Sequence, residues 1–205
     1  MFISLQADQL TCIRSYRVLF RDLSFCVKPG ALLCIEGPNG AGKTSLLRLI
    51  AGLLHPAAGT VRLLTESGAI GDAEERGAFV GWIGHQDAVK PQLTVCEQLL
   101  FFARLYRSVR PPGEAMEAFG LRSLANVPGQ FLSAGQKRRL GLARLMLCDR
   151  PLWLLDEPLA ALDAAGKVLV AEAILAHCRS GGLVLAATHD PLGLDCETLH
   201  LGAAT

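Results

Sequence analysis

A glycine-rich run that ends in a lysine and a threonine is the part of this sequence best suited to chemistry. It reads "GPNGAGKT" at residues 37–44, between an apolar segment and the helical pattern "SLLRLIAGLL". Glycines let backbone N–H groups wrap phosphate oxygens, the lysine at this spacing reaches the outer phosphates, and the threonine hydroxyl can bind Mg²⁺. We therefore predict a nucleotide phosphate site made of Gly37, Pro38, Asn39, Gly40, Ala41, Gly42, Lys43, Thr44 and Ser45.

Two adjacent acids supply further groups that nucleotide hydrolysis needs. Asp156 and Glu157 follow the apolar run "LWLL". An acidic pair at the mouth of a buried strand is costly unless a cation or hydrogen bonds accept it. We expect Asp156 to hold Mg²⁺ through water and Glu157 to polarise the attacking water as a general base.

A second segment, "LSAGQKRRLGLARL" at residues 132–145, also suits an anion. Ser133 is a candidate N-cap, and the free N–H groups and dipole of a helix start attract negative charge. Ser133 and Gln136 equally fit a capping box that only begins a helix. These residues alone therefore leave open whether this helix binds an anion.

Four short apolar runs must position these groups. "ALLCIEG", "FVGWIG", "PLWLLDEP" and "LVLAATHD" alternate with helical patterns, which is typical of buried parallel strands crossed by helices. Three runs end on polar residues, and the fourth enters the glycine-rich loop. Because ligands of open α/β sheets lie beyond the carboxyl ends of the strands, we expect these four ends to meet around one ligand.

The segment between the second and third runs has a helical pattern. Thr94 and Glu97 match a capping box ahead of "QLLFFARLY", and "PPGEAMEAFGL" predicts another helix after a proline break. Residues 90–148, approximately, are therefore predicted to form an inserted helical subdomain. A chain of 205 residues suits one well-buried domain, so we assign residues 1–205 to a single domain.

Charge, cysteines and hydropathy exclude several classes of protein. Twenty Lys and Arg residues oppose 19 Asp and Glu residues, a net charge of +1 that offers no broad basic field for nucleic acid. Seven cysteines without a C-x-x-C pattern predict free thiols in a reducing cytosol. No window holds eighteen uninterrupted apolar residues, so we do not expect the chain to cross a membrane by itself.

Six motifs in order resemble those of ABC-type ATPases. "GPNGAGKTS", Gln86, "LSAGQKRR", "LWLLDEP", "ALD" at residues 161–163 and His189 are similar to the Walker A, Q-loop, signature, Walker B, D-loop and switch-histidine elements. The resemblance spans nearly the whole chain. It implies an α/β P-loop NTPase fold, with a mostly parallel core sheet, an antiparallel N-terminal β part and an inserted α-helical subdomain. It also implies hydrolysis of ATP with Mg²⁺.

The resemblance further implies a homodimer in the ATP state, in which each ATP lies between the P-loop of one domain and the signature helix of the other. Ser133 and Gly135 would then contact the γ-phosphate of the partner's ATP, with Gln136 in the same site. Asp163 would communicate between the two sites. This arrangement would explain why one small chain has two segments suited to phosphate.

Two further residues receive roles from the resemblance. His189 is expected to position the γ-phosphate and water. Gln86 is expected to take part in catalysis and in the Mg²⁺ site, and to pass motion to a membrane subunit together with the helical insertion. By themselves, His189 and Gln86 would also fit a structural histidine at a strand end and a loop residue.

Within this family the chain looks most like the ATP-binding subunits of the bacterial cytochrome c maturation system, the heme exporter ATPases. "WIGHQ" at residues 82–86 and the alanine of "LSAGQ" are the more particular elements. The resemblance implies integral membrane subunits of a heme-handling complex as partners, and a peripheral location on the cytoplasmic face of the inner membrane. An ABC transporter for another substrate is the first alternative, and a mechanical switch ATPase without a membrane partner is the second.

Two positions depart from the family pattern. Ala134 stands where glycine is commoner in the signature, and its methyl group would crowd an approaching phosphate. The family also places an aromatic residue near the N-terminus that stacks on adenine. Tyr16 is the aromatic candidate, whereas Arg14 aligns better and could stack through its guanidinium plane.

Overall fold

The strands build two sheets in the computed structural model, which describes residues 3–202. In chain order they are β1 (Ser4–Arg14), β2 (Arg17–Val27), β3 (Leu32–Glu36), β4 (Ala58–Thr65), β5 (Gly68–Ile70), β6 (Val80–Ile83), β7 (Leu152–Asp156), β8 (Leu183–Ala187) and β9 (Glu197–His200). One sheet is antiparallel with the order β2-β1-β4-β5, and the other is parallel with the order β6-β7-β8-β3-β9.

Six α-helices lie in the described residues: α1 (Lys43–Ile50), α2 (Ala73–Gly77), α3 (Val95–Tyr106), α4 (Pro112–Ala118), α5 (Ala134–Cys148) and α6 (Ala164–Arg179). Short 3-10 helices occupy Arg122–Leu124 and Gly129–Phe131. The predicted fold class is confirmed, since a parallel core sheet, an antiparallel N-terminal sheet and a run of helices after β6 are all present. The strand β9, which pairs with β3, was not predicted.

The central strands β3, β7 and β8 of the parallel sheet are buried on both faces, and alternate residues of each of them pack in different cores. In β7, Trp153 and Leu155 pack with the helices α3, α4, α5 and α6. Leu152 and Leu154 of the same strand pack with α1 and the antiparallel sheet. This explains why the strands are continuous apolar runs in the sequence: neither face meets water. The sheet is therefore a rigid support for groups that follow its strand ends.

The helix α3, which follows β6 and its loop, begins with a side-chain cap. Thr94 forms the predicted capping box with Glu97, whose amide donates to the threonine hydroxyl at 3.2 Å. The buried Gln98 in the next position accepts from the Lys90 amide at 2.8 Å and donates to the Leu93 carbonyl at 2.9 Å. These bonds fix the segment that leads from the parallel sheet into α3.

Candidate active site

Three of the predicted strand ends meet at one edge of the parallel sheet. Ala187 of β8 is paired with Ile35 of β3 on one side and with Asp156 of β7 on the other. The chain continues from these ends into the glycine-rich loop, the acidic pair and the Thr188–His189 segment. The register of the sheet thus brings together groups that are far apart in sequence.

The glycine-rich loop ends in the uncapped start of α1. Gly42 has a φ of 100°, in the left-handed region, and a Cβ there would lie 3.0 Å from the Cβ of Leu19. The first N–H groups of a helix have no intrahelical partner, and no side chain among the described residues caps them here. Such a helix start favours a negatively charged group.

Lys43 turns back over this loop. Its side chain is largely buried, and the ammonium group donates to the carbonyl oxygens of Gly37 at 2.7 Å and Pro38 at 3.3 Å. It also lies 3.0 Å from Nε2 of His189. Because an ammonium group can only donate, this contact is a hydrogen bond in the histidine tautomer whose Nε2 accepts.

The next residue of α1 reaches the first predicted acid. The hydroxyl of Thr44 lies 3.1 Å and 3.0 Å from the two carboxylate oxygens of Asp156. Asp156 is only 5% exposed, at the end of β7. One hydroxyl and one carboxylate are the hard oxygen donors that Mg²⁺ accepts together with phosphate oxygens and water, so the residues present fit this ion.

Glu157 is held at the mouth of the sheet. Its backbone has a φ of 51°, which is unusual for a residue with a side chain. Its amide donates to the Ala187 carbonyl at 2.8 Å, and its Oε2 accepts from the His189 amide at 3.3 Å. Oε1 lies 3.7 Å from His189 Nε2. These contacts place a carboxylate beside His189, which in turn contacts Lys43, where a general base would be needed.

Gln86 does not join this cluster. It follows β6 in a loop, its side chain is exposed, and it makes no side-chain hydrogen bond to any residue in 3–202. Its assignment to catalysis and to Mg²⁺ stays a prediction.

The start of α5 has the predicted N-cap. Ser133 accepts from the Gln136 amide at 3.2 Å, and the Gln136 side chain accepts from the Ser133 amide at 2.8 Å. Ser133 and Ala134 are exposed. Across the described chain, no hydrogen bond joins this helix start to residues 37–45.

Gly135 and Asp163 have contacts within the chain that their sequence motifs did not reveal. A Cβ on Gly135 would lie 2.6 Å from the carbonyl oxygen of Ala161, so only glycine fits this approach. Asp163 is the N-cap of α6 and accepts from the Gly166 amide at 2.8 Å. The segment 161–163 therefore lies directly against the start of α5.

Sequence reasoning missed Arg138. This residue of α5 is 3% exposed and donates to the backbone carbonyls of Asp156 and Glu157. It stands in the run "KRR", where the type of residue gives no hint of burial. The helical period offered the signal, because Arg138 shares a helix face with the buried Leu142 and Leu145.

Of the two candidates for adenine stacking, Arg14 is the last residue of β1 and Tyr16 lies in the turn between β1 and β2. Tyr16 is fully exposed and has a φ of 64°, and Arg14 is also exposed. The following strand passes the glycine-rich loop, since Leu19 and Phe20 border Gly42. The choice between Tyr16 and Arg14 stays open.

Comparisons with known proteins agree with this geometry. The family model described as "ABC transporter" matches residues 20–160. The cytochrome c biogenesis ATP-binding export protein CcmA of Paramagnetospirillum magneticum is 45% identical over 95% of this chain and 92% of its own length. The protein of the same name from Rhizobium meliloti is 45% identical over 92% of each chain.

A solved structure shares the fold. It is described as a putative ABC transporter (ATP-binding protein) from Pyrococcus furiosus, with a TM-score of 0.82, 24% identity and coverage of 97% of both chains. Between residues 3 and 202, none of the helices has the length and apolar character needed to span a membrane.

Proposed function

Since the chain belongs to the ABC transporter family and is an ATP hydrolase of that family, we propose that it drives a membrane export complex in c-type cytochrome biogenesis. The observation that carries the proposal is the cluster at the ends of β3, β7 and β8. There the uncapped start of α1, which contains Lys43 and Thr44, lies beside Asp156, Glu157 and His189. The relatives named above, which match nearly their whole length, support the biological setting.

The residues of this cluster divide the work of hydrolysis. The N–H groups of the glycine-rich loop and the ammonium group of Lys43 hold the phosphates of ATP. Glu157 orients a water molecule and accepts its proton as the water attacks the γ-phosphorus, and the bond from that phosphorus to the β,γ-bridging oxygen breaks, so ADP leaves. His189, released from Lys43 when phosphate takes the ammonium group, holds the γ-phosphate and the water in line.

We assign Mg²⁺ to the oxygens of Thr44 and Asp156, with Gln86 as a further ligand from the loop after β6. When bound, this ion neutralises charge on the phosphate oxygens. The bond between the Thr44 hydroxyl and the Asp156 carboxylate keeps both donors aimed at the same place. Gln86 would have to turn towards them.

The start of α5 serves a second copy of the chain. Ser133, Gly135 and Gln136 stand on an exposed helix start that has no nucleotide-binding groups of its own chain beside it. The capping box uses the Gln136 amide, and the Ser133 hydroxyl can still donate its proton to a phosphate. Two copies related by a twofold axis would place this start over the partner's P-loop, with Asp163 at the interface.

Membrane subunits dock on the helical subdomain, which we place at residues 90–148 of a single domain. The helix α3 exposes Leu100, Phe101 and Leu105, which are 40%, 56% and 59% exposed. An exposed apolar group of this kind marks an interaction surface. Through these subunits the chain would lie on the cytoplasmic face of the inner membrane and couple ATP hydrolysis to heme handling.

Covalent heme staining of periplasmic c-type cytochromes tests this proposal. Cells that carry the native allele are compared with cells that express Glu157→Gln at an equal level. The proposal requires staining to disappear in the variant while unrelated heme proteins persist. Unchanged staining would refute the role in cytochrome c biogenesis and leave the ATPase assignment standing.

A further inference from the structure

Arg138 has no role in the reaction described above, although it donates to the backbone of Asp156 and Glu157 in the site. It is on α5, five residues after Ser133, and it is only 3% exposed. Buried arginines are rare unless they are paired, because removing a guanidinium group from water is costly.

The guanidinium group of Arg138 joins three segments. It donates to the carbonyl oxygens of Asp156 and of Glu157, the latter at 2.6 Å. Its other terminal nitrogen donates to the carbonyl of Gly84 at 2.8 Å and to the carboxylate of Asp87 at 2.9 Å. Arg138 thus links α5 to the acidic pair at the end of β7 and to the loop after β6.

A purely stabilising role does not explain the contacts of Arg138 well. Nε of Arg138 is buried without a hydrogen-bond partner among the described residues. Within residues 3–202 the guanidinium pairs with one carboxylate, that of Asp87, whose side chain is 21% exposed. Well-packed apolar residues often replace buried ion pairs without loss of stability, so the geometry of the fork is the feature that an apolar side chain cannot supply.

We propose that Arg138 is a positioning residue that transmits the position of the α5 start to Glu157 and to the Gln86 loop. The inference rests on the proposed function, because it concerns the same hydrolysis site. Glu157 has a left-handed φ of 51°, and the bond from Arg138 to its carbonyl holds the peptide group that follows it. A shift of α5 when its start meets the partner's ATP therefore moves Glu157 and residues 84–87 together.

The test replaces Arg138 with lysine in the full-length chain. Lysine keeps the charge but has a single nitrogen, which cannot join all three segments. Arg139→Lys is the matched control, since Arg139 lies on the same helix and donates to the carbonyls of Phe119 and Gly120, at 3.0 Å and 3.3 Å, in the helical subdomain. Asp87→Asn is a second, milder variant that weakens the contact between Arg138 and the loop after β6.

Two measurements are made on each variant. Amide hydrogen exchange of residues 84–87 and of Glu157 reports the positions of the two loops without any need for turnover. We expect faster exchange there in Arg138→Lys and Asp87→Asn, and no change in Arg139→Lys. ATP-binding stoichiometry, kcat and KM are measured in the complex with the membrane subunits.

We expect kcat to fall roughly 10- to 100-fold in Arg138→Lys, because a displaced general base loses its alignment. ATP-binding stoichiometry and KM stay near the wild-type values. In the Glu157→Gln background the same change has no further effect on kcat, because the group being positioned is already lost.

Unchanged exchange at residues 84–87 and Glu157 in the arginine variant would overturn the proposal. So would a loss of kcat matched by an equal loss of ATP-binding stoichiometry, which would indicate a purely structural role. If the wild-type complex hydrolyses no ATP, the proposed function fails, and the exchange measurement still decides whether Arg138 links the two loops.

Discussion

The starts of α1 and α5 are both suited to anions, yet they are built in opposite ways. At α1 the N-cap is Gly42, no side chain satisfies the first N–H groups, and Lys43 contacts His189 across the mouth of the sheet. At α5 the N-cap is Ser133, a capping box is complete, and Ser133 and Ala134 are exposed.

This difference indicates which helix start can form a site on its own. At α1, the lysine contacts the histidine, the threonine contacts the first acid, and the second acid accepts from the histidine amide, all at the ends of three neighbouring strands. At α5, the described chain offers a helix start and a hydroxyl but nothing that could complete a nucleotide site. We infer that α1 holds the nucleotide and that α5 acts only when a second copy brings one to it.

Of the variants that test this comparison, Glu157→Gln is expected to have the largest effect. Hydrolysis should fall by about 10²- to 10⁴-fold, because the general base is lost while the phosphate contacts remain. Phosphate release and equilibrium ATP binding are measured in the complex with the membrane subunits. ATP should still bind, and the dimer should stay closed. Hydrolysis at the wild-type rate in this variant would show that Glu157 is not the general base.

Lys43→Ala should act at the other stage, ATP binding. The lost charge-assisted hydrogen bonds predict a dissociation constant that rises roughly 10- to 100-fold. Titration calorimetry measures the effect, and Lys28→Ala, at an exposed turn, is the control. Equal affinities of the native and Lys43→Ala chains for ATP would show that the α1 start is not the nucleotide site.

Ser133→Arg should separate the two helix starts. ATP affinity of the single chain should stay unchanged, whereas ATP-dependent dimerisation in the Glu157→Gln background should weaken by roughly tenfold or more, as expected for a bulky side chain in a close interface. Size-exclusion chromatography with light scattering reports the dimer. Ser180→Arg, at the far end of α6, serves as the control. A dimer that forms equally well would contradict the shared site.

Ala134→Gly should have the smallest effect. Removing the exposed methyl group lets a phosphate approach more closely, so the dimer should dissociate more slowly by less than about fivefold. The loss of helix propensity at this first helical position costs under about 1 kcal/mol of stability. Dissociation rates and thermal unfolding are measured together. Faster dissociation would show that the methyl group aids closure.

Much of this architecture could be predicted from local patterns. Apolar runs ending in polar residues located β3, β6, β7 and β8, because strands buried on both faces carry no polar residues until they leave the sheet. The capping boxes at Thr94 and Ser133 were also visible, since each depends on residues three positions apart.

Other features depend on tertiary contacts that no local pattern encodes. The helical period indicates the face of α5 on which Arg138 lies, but its bonds to the backbone of Asp156 and Glu157 follow only from how α5 packs. The short strand β9 is largely exposed and pairs with β3 at the sheet edge, so its sequence carries no clear apolar signal. The left-handed backbone of Glu157 follows from its bonds to Ala187 and Arg138.

The most direct test of the central claim is ATP hydrolysis by heterodimers purified through two different tags. One heterodimer pairs a Lys43→Ala chain with a Ser133→Arg chain. The other pairs a wild-type chain with a chain that carries both substitutions. A site shared between copies leaves one intact site in the first heterodimer and none in the second.

The account predicts up to about half of wild-type hydrolysis in the first heterodimer, because one of two symmetry-related sites is intact, and almost none in the second. The reverse result, with activity only in the heterodimer that contains a wild-type chain, would show that each chain completes its own site. It would contradict the division of labour between the starts of α1 and α5.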